Sequence, residues 1–360
     1  YEHGMFRQEF ADGWQMERYP TNDWRKLPVH PVNDADGKRV VIHVDYPDGV
    51  VHAQLWRVQV GRVPLYLLDA NLPENSPEDR RITGPLYGGD REFRVRQEIM
   101  LGVGGVHALH ALGHAPTVCH MNEGHSAFLA LERVRRAMQE RGASFGIAAE
   151  ITRAGNVFTT HTPVPAGNDV FARELVLRYL EPHRGALGLT AEALADLGRP
   201  PEDEAAFSMP VLAIRASERR NGVSALHGDV SRGMYSALFP ELPEHEVPID
   251  HVTNGIHAGT WVADDLAQLY TRYVGPRWAE ECDDRGLFAR VSEIPDAALW
   301  QAHERARHRL VNHARRWLRT AAVRRGAGEQ EITDCDRVLD PSALTIGFAR
   351  RFATYKRATL

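Results

Sequence analysis

The chain has 360 residues, of which 43% are apolar and 25% charged, with a net charge of −5, a length that favours two domains or one large α/β domain with a sizeable core. A disordered tail, a collagenous chain and a disulfide scaffold are excluded, because Cys119, Cys282 and Cys335 are odd in number, far apart and form no CxxC pair, and so read as reduced thiols. No stretch approaches the roughly 18 uninterrupted apolar residues of a membrane span, and no basic-then-apolar secretory pattern opens the chain, so cytoplasmic residence is the expectation.

Residues 1–30 are dense in aromatics without a sustained period of 2 or 3.6, and read as an irregular packed segment. From Val40 the pattern turns to strands: VVIHV, then the alternating HAQLWRVQV and, after a turn at Gly61, VPLYLLDA. NLPENSPEDRRITGPLYGGD is loop by composition, and REFRVRQEIMLGVGGVHALHALG reads as helix. APTVCHM is a short apolar strand, followed by a helix in which Phe128, Leu131, Val134 and Met138 fall at helical spacing and Gly142 closes the end. NVFTTHT is a further buried strand, running into the loop PVPAGND. Residues 180–208 read as an acidic helical stretch broken by proline. PVLAIRASERRNGVSALHGDVSRGMYSALF leads into helix, and HVTNGIHAGTW reads as strand, turn and helix start. Near the end one long helix carries Leu299, Ala302, Ala306, Leu310, Ala314, Trp317 and Ala321 at steps of three and four. GAGEQEITDCDRVLDPSA breaks that pattern, and LTIGFA then reads as an apolar strand. This alternation predicts α/β with a largely parallel sheet. The chain starts at Tyr1 without methionine and stops at Leu360 within what reads as a helix just begun, the pattern of a piece of a longer polypeptide.

In an open parallel sheet ligands gather at the carboxyl ends of the strands, and polar residues follow apolar strands at several places. In CHMNEGHS, His120, Glu123 and His125 offer a metal reading, weakened by a five-residue histidine spacing across a strand-to-helix turn; Glu123 and Ser126 read equally as helix caps. In TTHTPVPAGND, His161 ends a strand and is positioned either to hydrogen-bond a substrate or, the commoner case, to make a structural bond. In HVTNGIHAGTW, Asn254 is either a ligand contact or a plain turn residue beside Gly255, and His257 or Thr260 starts a helix. GFARRFATYKRA is the most informative: Arg350, Arg351, Lys356 and Arg357 follow an apolar strand at a helix start, where guanidinium forks, an ammonium and free N–H groups converge on one anion. The glycines of MLGVGG lie inside a helical pattern and lack the strand-GxGxxG-helix context of a nucleotide loop.

With these residues in view, the chain resembles the α-glucan (glycogen/maltodextrin) phosphorylases, in their shorter bacterial and archaeal form. The carriers are YEHGMFRQ with GWQMERYP, LYGGDREFRVRQE, HMNEGHSAFLALERVR, VFTTHTPVPAGND, NGVSALHGDVSR, VTNGIHAGTW and GFARRFATYKRA, in the family's order along the whole chain. The resemblance implies a GT-B fold of two Rossmann-like domains, with pyridoxal phosphate in the second. The implied reaction is reversible phosphorolysis: inorganic phosphate cleaves the terminal α-1,4-linked glucose of a glucan or maltooligosaccharide and gives glucose 1-phosphate with retention. The cofactor's 5′-phosphate, not its aldehyde, exchanges a proton with the substrate phosphate. His161 matches the histidine on the glucose and Asn254 the asparagine on the sugar hydroxymethyl, while Glu123 and His125 match residues lining the same pocket. Trp261 matches a tryptophan beside the cofactor and Arg350 a basic residue on the cofactor phosphate. Arg351 and Lys356 match the pair on the substrate phosphate, with Tyr355 nearby. No metal, nucleic acid or membrane enters this reading, and chain-length preference, oligomeric state and regulation stay open.

Two departures follow from the lysines, which are only Lys26, Lys38 and Lys356, and from the glycines. The family's Schiff-base lysine and its Gly-rich phosphate loop both fall outside the chain, so the 360 residues alone are expected to be inactive. The expected division is a partial N-terminal sugar-binding domain over 1–327, a linker over 328–342 and the start of a cofactor domain over 343–360. The rivals are a sugar-nucleotide glycosyltransferase of the same GT-B architecture, a metal-dependent hydrolase on His120, Glu123 and His125, and a glucan-binding module.

Overall fold

The computed structural model describes residues 7–11, 14–85, 89–164 and 168–348. The chain divides between Asn254 and Gly255 into two units. In the first, β1 (Arg7–Ala11) and β2 (Trp14–Arg18) pair as an antiparallel hairpin, so the aromatic opening is more regular than its composition suggests. An antiparallel sheet follows, built of β3 (His30–Pro31), β4 (Val41–Tyr46), β5 (Gly49–Val60) and β6 (Val63–Asp69) in the order β3-β5-β4, with β6 also on β5. Alternation decides its faces: Ile42, Val44 and Tyr46 point to the core opposite Val51, Ala53 and Leu55.

The segment predicted as one helix is α1 (Arg91–Ile99), a π-turn over Met100–Gly104 and α2 (Gly105–Ala111). The glycines of MLGVGG serve packing here. A Cβ on Gly102 would lie 2.7 Å from the Leu129 nitrogen and 2.8 Å from the Phe128 Cβ, so only glycine lets the π-turn approach the next helix this closely.

The second sheet is parallel throughout. Its strands are β7 (Cys119–Asn122) and β8 (Asn156–Thr159), joined through α3 (Phe128–Arg141) and α4 (Phe145–Arg153). A longer crossover holds the antiparallel pair β9 (Val170–Ala172) and β10 (Ala206–Ser208) with α5 (Arg173–Leu187), α6 (Ala191–Gly198) and α7 (Met209–Arg215). It leads to β11 (Arg219–Gly222), and α8 (Ala225–Tyr235) leads to β12 (Asp250–His251), giving the order β7-β8-β11-β12. Contrary to the expected break, α5 runs through Pro182 to Leu187, losing only the ladder bond a proline cannot donate. Phe128, Phe158, Phe207, Leu180 and Met209 are fully buried at the centre of one continuous core.

The described part of the second unit is helical: α9 (Ala258–Trp261), α10 (Asp264–Tyr273), α11 (Arg285–Phe288), α12 (Asp296–Arg324) and α13 (Glu329–Asp334). Its buried cluster is small, with Ala258, Val274 and Trp278 packed by Tyr270, Leu287 and Phe288. The predicted long helix is present, but Leu299, Leu310 and Trp317 of its expected apolar face are exposed, and Ala302, Val311 and Ala322 are what it buries. Residues 328–342, read as a linker, contain α13 and a 3₁₀ turn at Cys335–Arg337 that pack on α12. Arg315 of α12 donates to the carbonyls of Val338 and Leu339 at 2.8 and 2.6 Å. The apolar strand expected from Leu344 does not form over 344–348, and Leu344 and Ile346 are exposed, because no neighbouring strand among the described residues offers a ladder.

Candidate functional site

The carboxyl edge of the parallel sheet concentrates the polar residues that the motifs singled out. Backbone bonds continue the ladder beyond the strands: Glu123 N–H to the Thr159 carbonyl at 2.9 Å, Thr160 to Asn221 at 3.0 Å, Val252 to Gly222 at 2.9 Å and Asn254 to Val223 at 3.3 Å. The four chain segments leaving β7, β8, β11 and β12 therefore emerge side by side. Glu123, His125, His161 and Asn254, distant in sequence, share this edge.

Glu123 sits at φ 74°, a backbone region that costs a non-glycine residue about 1–3 kcal/mol and persists only where surroundings enforce it. The enforcing contacts are visible. Its carboxylate accepts the His161 N–H and the Thr162 hydroxyl, the latter at 3.1 Å, and Ser126 Oγ donates to its carbonyl at 3.2 Å. Next to it Gly124 lies against α7, where a Cβ would fall 2.8 Å from the Pro210 ring. Neither Glu123 nor Ser126 caps α3, whose N-terminus has no side-chain cap. Glu123 instead ties the end of β7 to the segment leaving β8.

His125 lies in the 3₁₀ turn Gly124–Ser126 and is half-buried; burial first, and then the Arg94 guanidinium, hold its imidazole below the ordinary histidine value. His161 is exposed at the edge, its backbone fixed by Glu123. Asn254 is exposed at the end of the β12 segment. Behind the edge Asn168 donates to the Tyr235 hydroxyl at 3.0 Å, and burial, with the Glu123 charge adding to it, pushes that phenol up to about 12.

The metal reading fares differently. Thr159 Oγ1 donates to Asn221 Oδ1 at 2.9 Å, so at 2.7 Å from His120 Nε2 it accepts, and that nitrogen carries a proton rather than a free lone pair. No group of three His, Cys, Asp or Glu among the described residues is placed to hold a metal ion.

Trp261 closes α9 in the second unit with 77% of its surface exposed, and His257 Nδ1 lies 2.7 Å from the Thr260 hydroxyl at the start of that helix. Arg350, Arg351, Tyr355, Lys356 and Arg357 lie outside the described residues. Sequence reasoning missed Arg94 and Asp169, whose charges act on His125, and Glu98, which pairs with Arg94. The signal was available in REFRVRQE: an ion-pair spacing of four residues flanking Val95, on the face that continues into Ile99.

No family model matches the chain. It is similar over its whole length to the glycogen phosphorylase of Mycobacterium tuberculosis, 43% identical over 373 residues, and to the maltodextrin phosphorylase of Thermococcus litoralis, 40% identical over 365 residues. Along its whole length the chain matches enzymes named glycogen and maltodextrin phosphorylase. The glycogen phosphorylase of Aquifex aeolicus is 35% identical over 362 residues, again covering all of this chain. The chain spans 43%, 42% and 52% of the length of these three curated relatives. Its mixed α/β architecture with a parallel sheet is that of a partial GT-B phosphorylase domain. No helix among the described residues is long and apolar enough to cross a membrane.

Pyridoxal phosphate, which the family resemblance implies, needs a lysine amine for a Schiff base. The two described lysines are exposed and lie in turns before β3 and β4, not on the strands of the parallel sheet or the segments that leave them: Lys26 in a 3₁₀ turn, 3.6 Å from Asp23, and Lys38 in the turn before β4. The described residues do not fit a covalently held cofactor.

Proposed function

We propose that this chain is the sugar-facing part of an α-glucan phosphorylase, in which inorganic phosphate removes the terminal α-1,4-linked glucose of a glucan or maltooligosaccharide as glucose 1-phosphate with retention. The observation that carries the reading is the convergence of Glu123, His125, His161 and Asn254 at one sheet edge, in a chain matched along its length by enzymes named glycogen and maltodextrin phosphorylase. A sugar ring presents hydroxyls that both donate and accept. The His125 imidazole, the exposed imidazole of His161 and the amide of Asn254 offer the complementary set.

In this reading His161 hydrogen-bonds the reacting glucose and Asn254 its hydroxymethyl, with Glu123 holding the His161 backbone in position. Arg351 and Lys356 bind the substrate phosphate with Tyr355 nearby, and fixed positive charge there stabilises two phosphates brought close to an oxocarbenium-like centre. Arg350 and Trp261 serve pyridoxal phosphate in the whole protein, whose Schiff-base lysine is none of Lys26, Lys38 or Lys356. The whole protein resides in the cytoplasm.

The test is the full-length gene product incubated with maltoheptaose, inorganic phosphate and pyridoxal phosphate, and assayed for glucose 1-phosphate. Phosphate-dependent release is expected. Glucosyl transfer from UDP-glucose or ADP-glucose without phosphate dependence would overturn the reading in favour of a synthase.

A further inference from the structure

Glu98 is 1% exposed, on the face of α1 that turns into the protein. Its Oε1 stands 2.9 Å from Arg94 Nε one turn earlier, and the far end of the same guanidinium, Nη2, stands 3.0 Å from Asp169 Oδ2. Asp169 is not an arbitrary partner. It directly precedes β9, and its carbonyl accepts the Met209 N–H at 3.0 Å, while Arg91 of α1 donates to the next carbonyl, Val170, at 3.2 Å. α1 also packs against the 3₁₀ turn that carries His125. One guanidinium therefore joins a buried carboxyl, the residue that opens β9 and the neighbourhood of His125.

Charge bookkeeping sets the state of this group. Two ionised carboxylates on one guanidinium would leave a net negative charge in a desolvated place, which is costly, whereas one proton on the deeper acid makes the group neutral. Glu98 is the deeper acid. Burial first, and then the adjacent Asp169 charge, push it well above the ordinary carboxyl range.

We propose that Arg94, Glu98 and Asp169 act as one positioning unit for the carboxyl-edge site, with the guanidinium tying Asp169, at the start of β9, to α1 and standing beside His125. The charged and titratable groups facing His125 are Arg94 from α1, Asp169 from the segment before β9, Glu123 from its own turn and His161 from the end of β8. Among them Arg94 is the cation that, after burial, most disfavours a proton on the imidazole. A neutral imidazole is able both to donate to and to accept from a hydroxyl.

The inference rests on the proposed phosphorolysis, and the experiment separates the two. In the full-length protein, Arg94→Met, Arg94→Lys, Glu98→Ala and Glu98→Gln are compared with wild type by melting temperature, by kcat and KM for phosphate-dependent glucose 1-phosphate release, and by the pH midpoint of His125 carbethoxylation, mapped by peptide mass spectrometry. Arg94→Met is expected to lower kcat by about tenfold or more, the size of a small misplacement of a binding group, with the KM for phosphate within about twofold. It also moves the His125 midpoint upward, and Arg94→Lys restores much of that shift. Glu98→Gln, a permanent copy of the protonated acid, recovers most of what Glu98→Ala loses. Wild-type kcat and a wild-type midpoint in Arg94→Met would overturn the positioning role. So would a kcat loss with an unmoved midpoint that tracks the drop in melting temperature. Absence of glucose 1-phosphate release in wild type would instead refute the phosphorolysis, leaving the carbethoxylation midpoints to judge the positioning unit.

Discussion

Helices α3 and α12 carry the same kind of pattern, apolar residues at steps of three and four, and reach opposite outcomes. In α3, Phe128 is 0% exposed and Leu131 and Val134 are buried with it, while in α12 Trp317 is 57% exposed, with Leu299 and Leu310 also open. The difference lies in what stands opposite. α3 faces the π-turn, α4 and α5, and joins a core continuous through the first unit, whereas among the described residues of the second unit α12 packs chiefly on α10, α13 and the 3₁₀ turn after it. An amphipathic period specifies that a helix forms and which face would be buried; burial itself needs an apolar surface on another element.

The largest expected contrast tests this directly. Phe128→Ala empties the centre of the first unit and should cost about 3–5 kcal/mol, while Trp317→Ala should fall within about 0.5 kcal/mol, both read by urea unfolding. Equal losses at the two positions would show that the α12 face is covered in solution.

A second contrast concerns charge. Glu132 of α3 is buried; desolvation alone would raise its carboxyl, but Arg135 and His107 outweigh it and hold the group at about 2, against an ordinary 4.5. A depressed folded-state value contributes stability that is complete above about 4.5 and is lost as pH falls from there through about 2, on the order of 3 kcal/mol. Glu132→Gln should lose stability at neutral pH and flatten the unfolding free energy across that acid window. In the second unit, Asp265 bridges Arg305 and Arg309, both about half exposed, and Asp265→Asn should cost far less than Glu132→Gln, with the loss shrinking further in 1 M salt.

Two glycines sharpen the packing comparison from the other side. Gly102→Ala forces a Cβ against the backbone of α3 and should destabilise by about 1–3 kcal/mol, whereas Gly328→Ala, with nothing within 4 Å, should change stability by only a few tenths of a kcal/mol. Thermal unfolding followed by circular dichroism checks the pair, and a neutral Gly102→Ala would mean that the π-turn can move away from Phe128.

By itself the sequence determined the local elements and the family. Strands β4–β8 and helices α1–α3 and α12 were legible because alternation and helical period are properties of neighbouring residues. The site residues were legible one motif at a time, as polar groups following apolar strands. Only the tertiary structure decided that Glu123, placed at φ 74°, would hold the His161 backbone rather than cap α3, and that His120 would spend its Nε2 proton on Thr159. It also decided that Arg94 and Glu98 would meet Asp169, 75 residues from Arg94, that the helix breaker Pro182 would sit inside α5, and that Leu344 and Ile346 would find no strand to pair with among the described residues. Each of these turns on which partner a group meets across the fold. Hydrogen bonding, desolvation and burial are set by that partner, and a local pattern states only which partners would be suitable.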